Sequence, residues 1–440
     1  MMKNYFGGPN IKGANLILLI FLLSFLLRLV VALRTPNSLL GGDADFYDYF
    51  ATSVSQGKGI LNQLGKPTAF YPPVYPLFLA FIYMVFGKSY LFYKIAQAFI
   101  GALTCITIYF IGKALLNQNI GLIAAIIASC YHFFIVSNTL MMSESIFTFF
   151  LVLAVFLWIQ FHRREGIRYP TLLGLSLALA SLTKVAFLYF IIVIFLAELL
   201  NAKQLDNLNY GFYKKIFICF LGFIFLMSLW TIRNYLVFHK FIYSSTQTGI
   251  TLYSAYHPRD EKIFGLNAND ATFKEAEKIE SEVERSDFLI KKTIESIKKN
   301  PQKLYKYLPL KIMNFWNVFD WEILGQGRYN FSFAFILPFA FIGMYILRRC
   351  HPEFFFLVSP MLYFLLIAIV IEGLPRFRLP VEPFLIILAS LAIYNLSQKY
   401  GQVKMITLLA GWLLINLTLF FNSPLVKEIT KNTMYYLGLW

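Results

Sequence analysis

Long apolar segments recur along the whole chain, and they restrict its fold more than any other feature of the sequence. The first, residues 16–33, is long enough to cross a bilayer as a helix, because about 20 apolar residues span the hydrocarbon core. Hydrophobic residues make up 58% of the 440 residues and charged residues only 14%, which is too little polar surface for a soluble protein of this length. The sequence therefore predicts an all-α, polytopic integral membrane protein.

The formal net charge of +16 raises the question of nucleic-acid binding, but the positions of the basic residues argue against it. Lys and Arg lie mostly in connectors between apolar segments, where they orient a membrane protein by the positive-inside rule. We therefore predict no nucleic-acid partner. Four basic connectors are assigned to the cytoplasmic side: residues 162–168, 203–215, 348–349 and 399–404.

This assignment predicts about eleven transmembrane helices, with the N-terminus inside and the C-terminus outside. Their apolar segments are residues 16–33, 91–111, 120–136, 147–159, 170–181, 185–200, 216–231, 331–347, 354–371, 383–396 and 406–421. Arg28, inside the first segment, either snorkels to the interface or has a role within the bundle. The short stretch Val74–Phe86 is assigned to an interfacial or re-entrant helix, because a crossing there would reverse every later loop.

Three regions follow from this topology. Residues 1–232 form an N-terminal transmembrane module that includes a first outer loop, 34–90. Residues 233–330 form an extracytoplasmic, largely helical segment, and residues 331–440 form the C-terminal transmembrane helices. Within the outer segment, apolar residues recur at helical spacing from Ala271 to Lys299, which predicts one amphipathic helix that stops at Asn300-Pro301.

Carboxylates are concentrated in the first outer loop, at Asp43, Asp45 and Asp48, directly after Gly41-Gly42. If a helix follows the glycines, Asp43 and Tyr47 share one face, because residues four apart are neighbours on a helix. A carboxylate near an apolar interface is suited to act as a general base. Acids in the first turn of a helix, with an N-cap, explain the same pattern, and the spacing alone does not separate the two interpretations.

Further charged residues fall on the same outer side. Glu144, between Ser143 and Ser145, is either an N-terminal helix residue or a second carboxylate facing Asp43 across a cavity. Four basic residues lie on the outer side, where the positive-inside rule predicts few basic residues. Binding a lipid phosphate would explain their position. They are Lys184, Arg233, Arg376 and Arg378. Snorkelling or pairing with the nearby acids is the alternative for each of them.

The ordered set of these motifs resembles the bacterial GT-C membrane glycosyltransferases, which are related to the protein O-mannosyltransferases and the aminoarabinose lipid A transferase. The resemblance covers most of the chain. It rests on Gly42-Asp43-Ala44-Asp45-Phe46-Tyr47, Tyr71-Pro72-Pro73-Val74-Tyr75-Pro76, Ser143-Glu144-Ser145, Leu182-Thr183-Lys184, Trp230-Thr231-Ile232-Arg233-Asn234 and Arg376-Phe377-Arg378-Leu379-Pro380.

The resemblance implies an inverting glycosyltransferase of the bacterial inner membrane, which moves a hexose or pentose from a polyprenyl-phosphate-linked donor to an acceptor outside the cytoplasm. By match, Asp43 is the first-loop catalytic aspartate, with Asp45 as the alternative base, and Glu144 is a second-loop acid. The resemblance assigns binding of the donor phosphate to Lys184 and Arg376, together with Arg233 and Arg378. Tyr47 and Tyr71 are supporting residues.

The chain also departs from the family pattern. Many members have an Asp-Glu pair where this chain has Asp43-Ala44-Asp45, and Phe70-Tyr71-Pro72-Pro73 replaces a stretch that carries a metal-binding glutamate in the aminoarabinose transferase. We therefore commit to no cofactor and leave a divalent metal open. The acceptor is left open among a glycan, a lipid and a protein. A flippase or transporter of lipid-linked sugars and a non-catalytic homologue are the alternative functions.

Overall fold

A computed structural model describes residues 11–36, 41–204, 210–257, 269–320, 328–348, 351–371, 373–424 and 426–428. Over these residues the chain is helical, with one two-stranded antiparallel hairpin of β1 (Phe319–Asp320) and β2 (Arg328–Tyr329). The all-α class predicted from the sequence is confirmed. Parts of two predicted basic connectors, residues 205–209 and 349–350, lie outside the described residues.

The N-terminal region contributes ten helices and one 3₁₀ helix. They are α1 (Ile11–Arg34), α2 (Asp43–Ser55), α3 (Val74–Phe86), α4 (Tyr90–Leu115), α5 (Gln118–Cys130), α6 (His132–Ser137), α7 (Glu144–Arg163), α8 (Arg168–Ser181), the 3₁₀ helix Val185–Phe187, α9 (Phe190–Gln204) and α10 (Tyr210–Phe238). Helices α8 and α10 pack closely through glycines, since a Cβ on Gly174 would overlap the Cys219 carbonyl oxygen.

The rest of the chain forms the outer segment and a second group of apolar helices. The outer helices are α11 (Thr248–Tyr256), α12 (Ala271–Glu277), α13 (Glu282–Lys299) and α14 (Gln302–Phe315). The last group comprises α15 (Phe331–Leu347), α16 (His351–Val370), the 3₁₀ helix Pro375–Val381, α17 (Glu382–Tyr400) and α18 (Gln402–Phe421). Helix α17 lies at the centre of the main hydrophobic core and packs against α15 and α5.

Six described helices are long and apolar enough to cross a membrane. They are Ala14–Arg34, Tyr90–Leu115, Glu144–Arg163, Tyr210–Phe238, Pro375–Tyr400 and Gln402–Phe421. Five shorter apolar helices accompany them: Val74–Phe86, Gln118–Cys130, Val185–Leu199, Phe331–Leu347 and Phe354–Val370. The polytopic membrane class is therefore confirmed, while the count of eleven and the side of each loop stay predictions.

Arg28 has a role inside the bundle rather than at the interface. Its guanidinium is buried and donates to the Asn138 Oδ1 atom at 2.9 Å and to the carbonyls of Ala128 and Ser129 at 3.3 and 3.2 Å. These carbonyls belong to the last turn of α5, where the helix breaks before α6. The Ala128 carbonyl accepts only a long backbone hydrogen bond, from the Tyr131 N–H at 3.4 Å, and Arg28 supplies a donor to each of the two carbonyls. A cation at this helix end also complements the helix dipole.

The first outer loop folds into α2 and α3, which pack on each other and form an aromatic cluster with α4. The inner face of α3 buries Tyr75, Leu79 and Tyr83, whereas Phe81 and Met84 are exposed on the opposite face. Contact with a loop helix on one face and a bare apolar face on the other is consistent with an interfacial helix. The interfacial position of α3 stays a prediction.

The single amphipathic helix predicted for residues 271–299 is instead two helices, α12 and α13. The break falls at residues 278–281, where Ser281 caps the new helix by accepting a hydrogen bond from the Glu284 backbone N–H at 3.4 Å. A serine that satisfies an unpaired helical N–H favours a helix start over continuation. The predicted stop is confirmed, because α13 ends at Lys299.

Candidate active site

The first outer loop delivers Asp43 at the start of α2. Gly41 and Gly42 take φ values of 80° and 63°, a left-handed conformation that favours glycine, and so turn the chain directly into the helix. Asp43 is the first residue of α2, and the N-cap position is occupied by Gly42, without a side-chain cap. The Asp43 carboxylate is therefore not used as a cap and faces other partners.

Two side chains from distant parts of the chain hold the Asp43 carboxylate. The Tyr71 hydroxyl donates to Oδ1 at 2.6 Å, and the Arg376 guanidinium lies 3.3 Å from Oδ2. Burial and the neighbouring Asp43 charge raise the pKa of Tyr71 above its ordinary value, so its hydroxyl stays protonated and remains a donor. The carboxylate is fixed in orientation, while one third of its surface stays accessible (34%).

Tyr47 packs against Tyr71, the residue that holds the Asp43 carboxylate. Its ring packs against Tyr71 and Tyr75, each with 4.7 Å between ring centroids, and its hydroxyl lies 3.5 Å from the Ser143 Oγ atom. Burial and the Asp43 charge raise the pKa of Tyr47, which keeps this hydroxyl neutral. Tyr47 therefore connects α2 to the start of α7.

The start of α7 carries the second acid of the site. Glu144 is buried in the first turn, and its Oε1 atom lies 2.6 Å from the Lys184 Nζ atom. Lys184 lies between α8 and the 3₁₀ helix Val185–Phe187, at the turn predicted from the sequence, and its side chain is less exposed than that of Asp43. A buried carboxylate requires such a partner, because an unpaired buried charge is strongly destabilising.

One cavity of about 1860 Å³ joins these groups. Six of the nine predicted site residues line it: Asp43, Tyr47, Tyr71, Glu144, Lys184 and Arg376. The Lys184 Nζ and Arg376 Cζ atoms lie 5.3 and 5.1 Å from the centroid of the same ring, that of Phe377. Two cations therefore lie near one aromatic side chain, and one of them, Arg376, also contacts the carboxylate that Tyr71 holds.

The lining of the cavity is mixed. The ends of the membrane helices contribute apolar surface, including Val185, Tyr189, Ile367 and Val370. The first outer loop, the outer segment and the residues that follow α14 contribute polar side chains together with aromatic and aliphatic ones.

Arg233 and Arg378, predicted to bind the donor phosphate, do not line the cavity. The Arg233 guanidinium donates to the carbonyls of Thr68 and Ile60 at 2.9 and 3.3 Å and so holds the first outer loop. Arg378 is fully buried beside Glu382, 2.8 Å from its Oε1 atom. Both guanidinium groups satisfy internal acceptors, and we do not carry either residue into the proposed donor site.

Asp45, the alternative base, is also absent from the cavity lining and is exposed. It lies two residues after Asp43 on the same helix, and residues two apart on an α-helix do not share a face. Between the two acids, the geometry therefore favours Asp43 as the base.

Glu282 was not predicted, although it braces the site from the outer segment. Its carboxylate accepts from the Thr68 hydroxyl at 2.7 Å and from the Ala69 backbone N–H at 2.6 Å. Ala69 also accepts at its carbonyl from the Thr246 N–H at 3.0 Å. We call these contacts of Glu282 with Thr68 and Ala69 the clamp. Tyr71 follows Ala69 by two residues, so the clamp fixes the segment that carries Tyr71, the partner of Asp43. The contact joins residues more than 200 positions apart, and no sequence pattern indicates it.

We predict that Glu282→Ala loosens this clamp and accelerates amide exchange at Ala69. Charge-assisted hydrogen bonds contribute about 1.5–3 kcal/mol each, so exchange at this buried amide should rise by at least tenfold. Hydrogen–deuterium exchange of the purified protein in lipid measures it, with Glu284→Ala as the control because Glu284 is exposed on the same helix turn. Equal exchange at Ala69 in both variants would contradict the clamp.

Among the described residues, no group of three or more His, Cys, Asp or Glu side chains is arranged to hold a metal ion. The two acids that line the inner part of the cavity, Asp43 and Glu144, are each paired with a basic side chain.

Comparison with known proteins agrees with the class that these features suggest. Residues 71–231 match the family described as dolichyl-phosphate-mannose-protein mannosyltransferase. An uncharacterized protein of Aquifex aeolicus is 26% identical over 191 residues, which cover 43% of this chain and 36% of that protein.

The fold is shared with two solved membrane enzymes. The apo structure of ArnT from Cupriavidus metallidurans superposes with a TM-score of 0.55 at 12% identity, covering 89% of this chain and 62% of that one. The archaeal oligosaccharyltransferase AglB from Archaeoglobus fulgidus, in complex with an inhibitory peptide and a dolichol-phosphate, superposes with a TM-score of 0.56 at 15% identity, covering 92% and 54%. The chain thus has the fold of the GT-C membrane glycosyltransferases, and the resemblance predicted from its sequence is confirmed. It spans 62% of the length of the first of these two proteins and 54% of the second.

Proposed function

We propose that the protein is an inverting glycosyltransferase that transfers a sugar from a polyprenyl-phosphate-linked donor to an acceptor on the extracytoplasmic side of the bacterial inner membrane. The observation that carries this proposal is the Asp43 carboxylate, oriented by Tyr71 and Arg376 in a cavity that Lys184 also enters. A general base beside two cations matches a reaction that takes a proton from a hydroxyl and releases a phosphate.

The lining of the cavity supports a lipid-linked donor. Val185, Tyr189, Ile367 and Val370 offer apolar surface at the ends of membrane helices, where a prenyl chain would lie. Lys184 and Arg376, which both lie near the Phe377 ring, would then contact the phosphate oxygens. ArnT from Cupriavidus metallidurans, which has the same fold, has also been solved bound to undecaprenyl phosphate.

In the proposed reaction, the acceptor hydroxyl loses its proton to the Asp43 carboxylate and its oxygen forms a bond to the anomeric carbon. The bond from that carbon to the phosphate oxygen breaks on the opposite face, and its electron pair leaves with the polyprenyl phosphate. Lys184 and Arg376 stabilise the negative charge that gathers on the departing phosphate. Glu144 holds the Lys184 ammonium in place through their 2.6 Å contact.

Proteoliposomes containing the purified protein and a radiolabelled polyprenyl-phosphate hexose or pentose pool test the proposal. We expect the label to leave the lipid and appear on a cell-envelope acceptor fraction with inverted anomeric configuration; heat-inactivated protein is the control. Movement of intact lipid-linked sugar between leaflets would instead indicate a flippase. Donor binding without cleavage, in the presence of the full acceptor fraction, would indicate a non-catalytic homologue.

A further inference from the structure

We propose that the acceptor is a neutral saccharide, bound in the part of the cavity beneath the outer helices α11 and α14. This inference rests on the proposed glycosyl transfer and adds the chemical class of the second substrate. It starts from the size of the cavity, because about 1860 Å³ exceeds the 300–1,000 Å³ that one small ligand usually occupies. A lipid phosphate and its sugar leave room for a second molecule.

The outer part of the cavity presents polar side chains that are free to bind. Gln247 precedes α11, Thr248 and Thr251 lie in its first turns, and Asn314 lies in the last turn of α14. None of these four side chains forms a hydrogen bond with another described residue, and none is buried. Amides and hydroxyls supply both donors and acceptors, which is what adjacent sugar hydroxyls require.

Apolar surface accompanies these polar groups. Ile250 and Phe273 line the same part of the cavity, and Phe273 belongs to a small core cluster that fixes its position. Pyranose rings have polar edges and apolar C–H faces, so a saccharide can use both kinds of surface at once. A mixed lining of this kind suits it better than it suits a lipid tail.

The charged groups of the outer part are already engaged with one another or with the backbone. Lys66 pairs with Glu280 at 3.2 Å, and Glu282 is bound to Thr68 and Ala69. The Arg285 guanidinium donates to the Ile279 carbonyl at 2.7 Å. The remaining charged lining residues, Glu277 and Lys427, carry opposite signs. The outer part is therefore lined by three acids and three bases, and this balance of charge favours a neutral acceptor over one of either sign.

The test measures binding and transfer separately. Neutral oligosaccharides of three to five hexose units are the probe, compared with a Ser/Thr-rich peptide and a polyprenol. Binding to the protein in nanodiscs is followed by saturation-transfer NMR, and transfer is followed from the labelled donor in proteoliposomes. We expect the oligosaccharides to bind without donor and to receive the sugar, and we expect the peptide and polyprenol to do neither.

Two variants locate the site. Gln247→Leu and Asn314→Leu should each raise the acceptor KM by about fivefold to tenfold, the effect of one lost hydrogen bond, and leave the donor KM unchanged. Gln302→Leu is the matched control, because Gln302 is an exposed residue of α14 that does not line the cavity. An unchanged acceptor KM in both variants would overturn the location.

The outcomes separate this inference from the proposed function. Transfer to the peptide or the polyprenol, with the oligosaccharides inert, would overturn the acceptor class while supporting glycosyl transfer. Cleavage of the donor by water alone, without oligosaccharide binding, would do the same. Oligosaccharide binding that Gln247→Leu weakens, together with a donor that is neither bound nor cleaved, would support the saccharide site and contradict the donor chemistry.

Discussion

Replacing Asp43 with Asn is expected to lower the rate of sugar transfer by about 10²–10⁴-fold without loss of folded protein. The amide has the size of the carboxylate and can still accept from the Tyr71 hydroxyl, so the local structure should persist. It cannot take the proton of an acceptor hydroxyl, however, and general-base catalysis accounts for a factor of this size. Transfer is measured in proteoliposomes under single-turnover conditions, at saturating donor and acceptor.

The matched control for this variant is Asp45→Asn, which removes an exposed acid from the same turn of α2 and should retain near-normal transfer. Thermal unfolding in detergent checks that both variants are as stable as the wild type. Transfer by Asp43→Asn at the wild-type rate would falsify the assignment of the base. A loss confined to Asp45→Asn would move the base to that residue.

The second large effect is expected from Arg378→Met, which should destabilise the folded protein by about 3–5 kcal/mol. Arg378 is fully buried, donates to the carbonyls of Phe315 and Asn317 at 2.6 and 2.9 Å, and pairs with Glu382. Its removal leaves Glu382 as a buried acid without its partner, and breaking one side of a buried pair has a cost of this size.

Arg376→Met provides the comparison, since it lies two residues away and faces the cavity. It should remain folded and lose at least tenfold in donor affinity, because one of the two cations beside Phe377 is removed. Thermal unfolding and equilibrium binding of the polyprenyl-phosphate donor distinguish the two variants. The reverse pattern, a stable Arg378→Met and an unfolded Arg376→Met, would show that their roles are exchanged.

Much of the helical fold was predictable, because the length of an apolar segment and the residues that end a helix can be read from neighbouring positions in the sequence. The predicted end of the outer helix at Asn300-Pro301 coincides with the end of α13 at Lys299, since proline and the helix stop are features of adjacent residues. The break at Ser281 was missed because the apolar periodicity continues through it. Ser281 caps the second helix locally, and the tertiary contacts of Glu282 with Thr68 and Ala69, which the sequence does not indicate, also hold the start of that helix.

The site was predictable only in part, for a geometric reason. Asp43, Glu144, Lys184 and Arg376 meet in one cavity, as a shared outer face suggested. Arg376 and Arg378 lie two residues apart in the 3₁₀ helix Pro375–Val381 and therefore point to different sides. The sequence does not show which of these two sides faces the cavity and which faces the core, so it could not separate their roles.

The buried Arg28 bears on how the chain is assembled. An isolated first helix would enter the bilayer with an arginine that has only Ser24 of its own helix as a partner, and an arginine at the helix centre costs about 2.5–3.5 kcal/mol on insertion scales. Its acceptors, the Ser129 carbonyl and the Asn138 side chain, are synthesised roughly one hundred residues later. We therefore expect the first helix to be retained at the insertion machinery, or bound by a chaperone, until α5 and α6 have been synthesised. Their entry would then release the three helices together as one early assembly unit.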